Sequence, residues 1–281
     1  MNQRQIYSPS SMRRSIFSPS DTADWLFCPV FRSLRKIWTP REVEWAPNRL
    51  LGIAVQEGIN WHLKGAADDV VENHVQDTLQ EGFQPQAKYT LEGLHKLALR
   101  GVQALVDADL FVRHQILMLD EPLSQSRPDV VSRHETEGLG VSDIKVSLQV
   151  GERYRAQRLS EYTTDDQFWH YAWEVGESLG EPVKWVRPVV CVLTPKATVL
   201  TELVRIEPER LDFWLQGAYS HWSDMAEEEA GSRTPAPRWP SCRGGKFGPC
   251  QMYDACHVFH HDPAQMEVFY ERRVPHTDGL Q

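Results

Sequence analysis

Two carboxylates and a lysine in the middle of the chain have the types and spacing for metal-assisted hydrolysis. Pro128-Asp129 closes one apolar stretch, and Asp143-Ile144-Lys145 lies in the next. A divalent ion that activates water against a phosphodiester prefers hard oxygen ligands, with water completing its shell. A lysine beside it can position that water and offset charge growing on the phosphate. In a strand, Asp143 and Lys145 share one face while Ile144 points to the other. Taken alone, the Asp-x-Lys triplet carries little information, because such triplets occur by chance and read as a surface salt pair. Downstream, Gln167 and Tyr171 share one face of an expected helix, next to an apolar face of Phe168, Ala172 and Val175. That too is open to a plainer reading, an amphipathic helix with an exposed Gln and Tyr.

The cysteines form a second candidate centre. There are five, Cys28, Cys191, Cys242, Cys250 and Cys256. An odd count argues against a disulfide framework in a reducing compartment. Cys28 stands alone in Leu26-Phe27-Cys28-Pro29, while Cys242, Cys250 and Cys256 are near enough in sequence to wrap one metal centre. Four thiolates select zinc or an iron–sulfur cluster. The Cys-x2-Cys pairs of a zinc ribbon are missing, and four unrelated thiols would fit the spacing as well. Cys191 sits in an apolar strand-like run and reads as a buried core thiol.

These residues need a scaffold of helices and strands. A capped helix is expected from Ser20-Asp21 through Trp25, Leu26 and Phe27 to Ile37, ended by Thr39-Pro40. Further helices are expected over Leu50–Leu63 and about Leu91–Leu110, where leucines recur at helical spacing. The period then changes to two. Residues 115–131 and 140–150 read as strands, the second alternating Ile144, Val146, Leu148 and Val150 with Asp143, Lys145, Ser147 and Gln149. A helix over about Asp165–Val175 follows. A hairpin comes next, Val183–Leu193 and Thr198–Ile206 about the turn Thr194-Pro195-Lys196. A last long helix covers about Pro208–Met225, and a Gly/Pro/Arg linker at 231–240 leads to the late cysteines.

Composition narrows the classes. With 281 residues, 41% hydrophobic and 25% charged, the chain is an ordinary globular protein with enough length for a core. No apolar run reaches the roughly 18 residues of a membrane helix. The first residues lack the apolar stretch of a signal peptide, so a cytoplasmic protein without a membrane partner is expected. There is no GxxxxGK[ST] loop and hence no sign of an ATP-driven motor. Net charge is −9, against the basic excess common in nucleic-acid binders. It is unevenly spread: Arg32, Arg35 and Lys36 lie in the first helix, and Asp224, Glu227, Glu228 and Glu229 lie late in the chain.

Pro128-Asp129, Asp143-Ile144-Lys145 and Gln167-x-x-x-Tyr171, in that order, resemble the signature of RecB-like PD-(D/E)XK nucleases. The resemblance implies an α/β, restriction-endonuclease-like core with a mixed central sheet flanked by helices. It implies metal binding by Asp129, Asp143 and the Ile144 carbonyl, catalysis by Asp129, Asp143 and Lys145, and DNA positioning by Gln167 and Tyr171. The metal would be Mg²⁺ or Mn²⁺. The family often carries a further metal-binding histidine after a glycine in an early helix. Here Gly52-Ile53-Ala54-Val55-Gln56-Glu57 places Gln56 at that position, so Gln56 is a further candidate ligand and Glu57 a substitute.

The cysteine pattern resembles the iron-staple nucleases, the AddB-type and CRISPR-associated four-cysteine exonucleases. Their first cysteine precedes a proline, as in Cys28-Pro29, and their last three sit in a Gly- and aromatic-bearing stretch, as in Cys242-Arg-Gly-Gly-Lys-Phe-Gly-Pro-Cys250-Gln-Met-Tyr-Asp-Ala-Cys256. This implies a 4Fe-4S cluster held by Cys28, Cys242, Cys250 and Cys256. Such a tie between distant residues removes much entropy from the unfolded chain. It would also set Arg32, Arg35 and Lys36 against Arg243 and Lys246 as part of a DNA path.

The expectation is a single nuclease domain over 1–281. Its catalytic core would span about 42–230, with a small cluster subdomain made from about 20–41 and 238–262. The expected activity is exonucleolytic, on single-stranded DNA ends, in recombination, repair or CRISPR adaptation. A helicase or a CRISPR integrase would be the partner. The alternative is a cluster-stabilised DNA-binding or processing partner with little nuclease activity.

Overall fold

A computed structural model of the chain describes residues 17, 19–40, 47–84, 89–149, 159, 165–194, 196–235, 250, 252, 255–256, 264, 266–267 and 270–272. Contacts divide the chain into two units, Trp45–Leu215, and Met1–Glu44 with Gln216–Gln281. Among the described residues no helix is long and apolar enough to cross a membrane.

The Trp45–Leu215 unit is α/β, with a central sheet flanked by helices. Three helices come first, α3 (Pro47–Leu63), α4 (Asp68–Gly82) and α5 (Leu91–Asp107). They are numbered after two helices of the other unit, Pro19–Phe27 (α1) and Pro29–Ile37 (α2). Six strands form the sheet: β2 (His114–Leu119), β3 (Val130–His134), β4 (Gly138–Gln149), β5 (Trp185–Thr194), β6 (Thr198–Thr201) and β7 (Val204–Arg205). The order is β2-β3-β4-β5-β6, with β7 also paired to β5. Only β4 and β5 run parallel among these pairs, and a parallel neighbour demands a crossover. Helix α6 (Asp166–Leu179) supplies it. Asp165 caps α6 by accepting the Gln167 amide at 2.9 Å, and Gly180 ends it in the left-handed conformation.

Strand alternation sorts the side chains onto two faces. Val130, Ile144, Val189, Cys191 and Leu193 join α3, α4 and α5 in one core. Val131, Leu139, Val141 and Val186 join Phe168, Tyr171, Ala172 and Val175 of α6 in the other. Asp143 and Lys145 therefore lie in the β4 alternation that faces α6. The expected burial of Cys191 holds. It has no exposed surface, its Sγ faces the Gly101 carbonyl at 3.7 Å, and burial pushes its pKa up to about 12.

The second unit combines both stretches of chain. Helices α1 (Pro19–Phe27) and α2 (Pro29–Ile37) lead to β1 (Trp38–Pro40), which pairs antiparallel with β8 (Tyr270–Arg272). Cys28, Val30, Phe31, Leu34, Trp38, Met252, Ala255, Met266 and Tyr270 form its apolar cluster. Helix α7 (Pro208–Glu229) begins in the first unit and ends in this one.

Two expectations need correction, and one helix goes beyond them. The helix expected to run from Ser20 to Ile37 is broken at Cys28, whose backbone is extended at φ −166° and ψ 121°. Pro29 is the cause: it starts α2 and disfavours helical geometry in the residue before it. The strand expected over 115–131 is two strands around a loop at 120–129, where Pro122, Ser124, Ser126 and Pro128 break the ladder. Helix α4 was not foreseen, although Val71, Val75 and Leu79 mark its buried stripe.

Candidate active site

The site forms where β3 parts from β4. The ladder ends at Val130↔Ser142, so the next outward-facing amide of β4 has no strand partner on that side. Asp129, one residue before β3, fills the gap: its Oδ2 accepts the Ile144 amide at 2.5 Å. Asp143 is only 1% exposed. Its Oδ1 accepts from Gln167 Nε2 at 3.2 Å, and its Oδ2 lies 2.7 Å from Lys145 Nζ. Gln167 Nε2 also donates to the Tyr171 hydroxyl, which in turn donates to the Arg127 carbonyl at 3.4 Å. Asp129, Asp143, Lys145, Gln167 and Tyr171 are thus brought together by the loop end before β3, strand β4 and helix α6.

The electrostatics of this group are unbalanced. Burial raises the Asp129 pKa well above the usual carboxylate range, and the nearby Asp143 charge adds to it. The Ile144 amide and Lys145 oppose the shift without cancelling it. Burial, then the charge of Asp143, likewise pushes the Tyr171 hydroxyl upward, so it remains a neutral donor. Two buried acids, one with an oxygen that meets no hydrogen-bond donor in good geometry (Asp143 Oδ2), suit a small divalent cation.

Gln56 lies on α3, one turn beyond Gly52, which packs toward Val146 of β4. Its Nε2 donates to Asn60 Oδ1 at 3.2 Å, while its Oε1 is buried without a partner. An orphaned amide oxygen is what a weak oxygen ligand would present. Glu57 is engaged instead as the acceptor of Trp61 Nε1 at 2.8 Å. Among the described residues no three His, Cys, Asp or Glu side chains are grouped to hold a metal ion. The described residues at the sheet offer two carboxylates, Asp129 and Asp143.

Sequence reasoning missed the residue that fastens the loop before Asp129. Glu174 Oε1 accepts from the Ser124 hydroxyl at 2.6 Å and the Gln125 amide at 2.7 Å, and Oε2 accepts from Ser126. Its burial alone would raise its pKa. The nearby His170 and the Ser124, Ser126 and Gln125 donors outweigh that and bring it to about 2. His170 Nε2 stands 3.6 Å from Glu174 Oε2, an electrostatic contact beyond hydrogen-bond length. The available signal was periodicity, since Gln167, Tyr171 and Glu174 fall on one helical face.

In the other unit, the cluster of Cys28 also includes the partly buried Cys250 and Cys256. Cys242 lies outside the described residues, as do Arg243 and Lys246. The cations of the expected basic face have acidic partners within the unit. Arg32 is buried, and its Nη2 donates to Glu229 Oε1 at 2.7 Å. Lys36 pairs with the same carboxylate, and Arg35 Nη1 reaches both Asp24 oxygens at 2.8 Å. Trp25 Nε1 donates to Glu228 at 3.0 Å. Glu229 is thus the counter-charge of Arg32 and Lys36, and Asp24 that of Arg35.

No protein-family model matches the chain, and no curated protein matches it. Among solved structures, a candidate exonuclease from Eubacterium rectale is similar over 88% of this chain and 91% of its own, at 14% identity and a TM-score of 0.47. LHK-Exo, solved in complex with dAMP, is similar over 67% of this chain and 93% of its own, at 12% identity and a TM-score of 0.29.

Proposed function

We propose that this chain is a Mg²⁺- or Mn²⁺-dependent deoxyribonuclease of RecB-like PD-(D/E)XK type. The observation that carries this reading is the convergence of Asp129, Asp143, Lys145 and Gln167 at the fork between β3 and β4. The metal, held by Asp129 and Asp143 with Gln56 as a further oxygen donor, would lower the pKa of water and neutralise charge on the phosphoryl group. Lys145, 33% exposed and fixed by Asp143, presents its ammonium towards a bound phosphate and can hold a proton of the attacking water. Gln167 and Tyr171 fix the carboxylate and the loop so that the group needs little rearrangement on binding.

The finer reading rests on the resemblance of the cysteine pattern to iron-staple nucleases. In it, Cys28, Cys242, Cys250 and Cys256 hold a 4Fe-4S cluster, and the enzyme acts as an exonuclease on single-stranded ends beside a helicase or CRISPR integrase. The shared apolar cluster of Cys28, Cys250 and Cys256 supports it. The second reading, a DNA-binding partner with weak cleavage, draws support from the sparse donor set, with Gln56 where a histidine would strengthen the metal.

The test is cleavage of end-labelled single-stranded and duplex DNA with Mn²⁺, using anaerobically purified protein, Asp143→Ala and Lys145→Ala. Metal-dependent cutting lost in both variants is the expected result. Binding without cutting by the wild type would move the function to the second reading. Cutting unaffected by either substitution would end the proposal.

A further inference from the structure

The loop at 120–129 does more than deliver Asp129. Two residues earlier, Arg127 is held at both its backbone and its side chain. Its carbonyl accepts from Tyr171, and Pro128 fixes the chain just after it. Its Nε lies 2.8 Å from Asp120 Oδ1 and donates to the Asp120 carbonyl, also at 2.8 Å. Asp120 is itself bonded back to the site, its amide donating to the Asp129 carbonyl at 2.9 Å. Among the described residues, the side-chain hydrogen bond and the nearest ion-pair contact of Arg127 both use Nε. Among the described residues the two terminal amino groups of Arg127 have no partner, and the side chain is 62% exposed.

A guanidinium fixed by its inner nitrogen, with its outer fork open, is a preorganised pair of donors for a phosphate. A solvated surface pair would instead need only the charge contact to Asp120. Here the backbone carbonyls at both ends of the loop and the Glu174 anchor restrict the arginine as well. The part-exposed ammonium of Lys145 lies 2.7 Å from Asp143 Oδ2, so a second cation borders the same carboxylates.

We propose that Arg127 binds a backbone phosphate of the nucleic acid next to the one at the metal, with its terminal fork aimed by Asp120. This rests on the nuclease reading above and adds to it a binding residue that makes no base contact. Arg127 therefore recognises any single strand, whatever its sequence.

The test measures binding of a fluorescein-labelled single-stranded oligonucleotide to the full chain by anisotropy, with Ca²⁺ replacing the catalytic metal, over a series of salt concentrations. Arg127→Ala is expected to weaken binding about tenfold and to reduce the slope of log K against log salt by about 0.7, the loss of one phosphate contact. Arg127→Lys, which keeps the charge without the fork, should recover the slope but only part of the affinity. Lys96→Ala removes an exposed charge paired to Glu92 and should change neither quantity. Mn²⁺ affinity of Arg127→Ala should equal that of the wild type, showing that the loop still delivers Asp129. If the wild type binds and cuts DNA but Arg127→Ala binds with the same affinity and slope, this inference is overturned and the nuclease reading stands. If the wild type binds no DNA, both fall.

Discussion

Asp129 Oδ2 accepts the Ile144 amide at 2.5 Å, which ties one acid of the site to the strand that carries the other, Asp143. The fold thereby holds two buried carboxylates together with only one ammonium beside them. Arrangements of this kind trade stability for function. Replacing Asp129 by Asn keeps an oxygen for the Ile144 amide and removes the repulsion. Metal-free Asp129→Asn should therefore melt higher than the wild type, by roughly 2–4 °C for each kcal/mol relieved. Mn²⁺ at 100 times its Kd should stabilise the wild type by about 2.7 kcal/mol and the variant by much less. Differential scanning calorimetry with and without metal reads both. A variant that melts lower without metal would show the carboxylate pair to be a structural asset.

Glu174 gives the opposite prediction. Its folded pKa of about 2 lies below the ordinary 4.5, so it stabilises the ionised fold. The contribution is complete above about pH 4.5 and disappears as pH falls towards 2. A shift of this size corresponds to about 3 kcal/mol. Glu174→Gln should lose most of that near neutral pH, because an amide cannot accept from Ser124, Gln125 and Ser126 as a carboxylate does. Chemical denaturation at pH 7 and pH 3 should show a large difference between wild type and variant at the first and a smaller one at the second. Equal differences at both would place the effect in packing instead. The loop should also loosen, so Mn²⁺ affinity should fall although Glu174 does not touch the metal.

Much of the site could be read before the fold was known, for a local reason. Asp143 and Lys145 share a face because strand side chains alternate, and Gln167 and Tyr171 because helical turns repeat. What could not be read depends on distance along the chain. Glu174 meets Ser124 across 50 residues, and Arg32 meets Glu229 across 197. No window of sequence contains both partners, so the acidic partners of the basic helix are not legible from its own residues. The 120–129 loop and α4 are different cases: the prolines and the Val71, Val75, Leu79 stripe each lie within a short window of sequence, and at the loop the β-like residues on either side outweigh the prolines.

The cysteines separate into two kinds with distinct outcomes. Cys28 shares its apolar cluster with Cys250 and Cys256, whereas Cys191 is sealed in the sheet core. If the proposed cluster is present, anaerobically purified protein should be brown, with iron and acid-labile sulfide in equal amounts. Cys28→Ser should then remove the colour, and Cys191→Ala should keep it while costing about 1–3 kcal/mol through the cavity left. Zinc in a colourless protein would reassign the centre. Neither metal would leave Cys28 as a core residue only.

Gly140 tests the sheet on which the site depends. It pairs with Trp185 across the parallel β4–β5 ladder, and the indole covers it. A Cβ at position 140 would stand 2.0 Å from Trp185 Cε2 and 2.1 Å from Cδ2. The ring has no free direction to yield: it is fully buried, and its Nε1 donates to the Gly138 carbonyl at 3.1 Å. Gly140→Ala must therefore displace the indole or the strand, at a cost of about 3 kcal/mol, the upper end for overpacking a core. The damage should reach the site, since Asp143 lies three residues along the same strand. Gly140→Ala should lower both the denaturation midpoint and the Mn²⁺-dependent thermal shift. Gly217→Ala, where an added methyl meets nothing, should leave both unchanged or raise stability slightly. Equal behaviour of the two variants would mean that the indole yields freely, and that the close approach of Trp185 does not hold β4 in place.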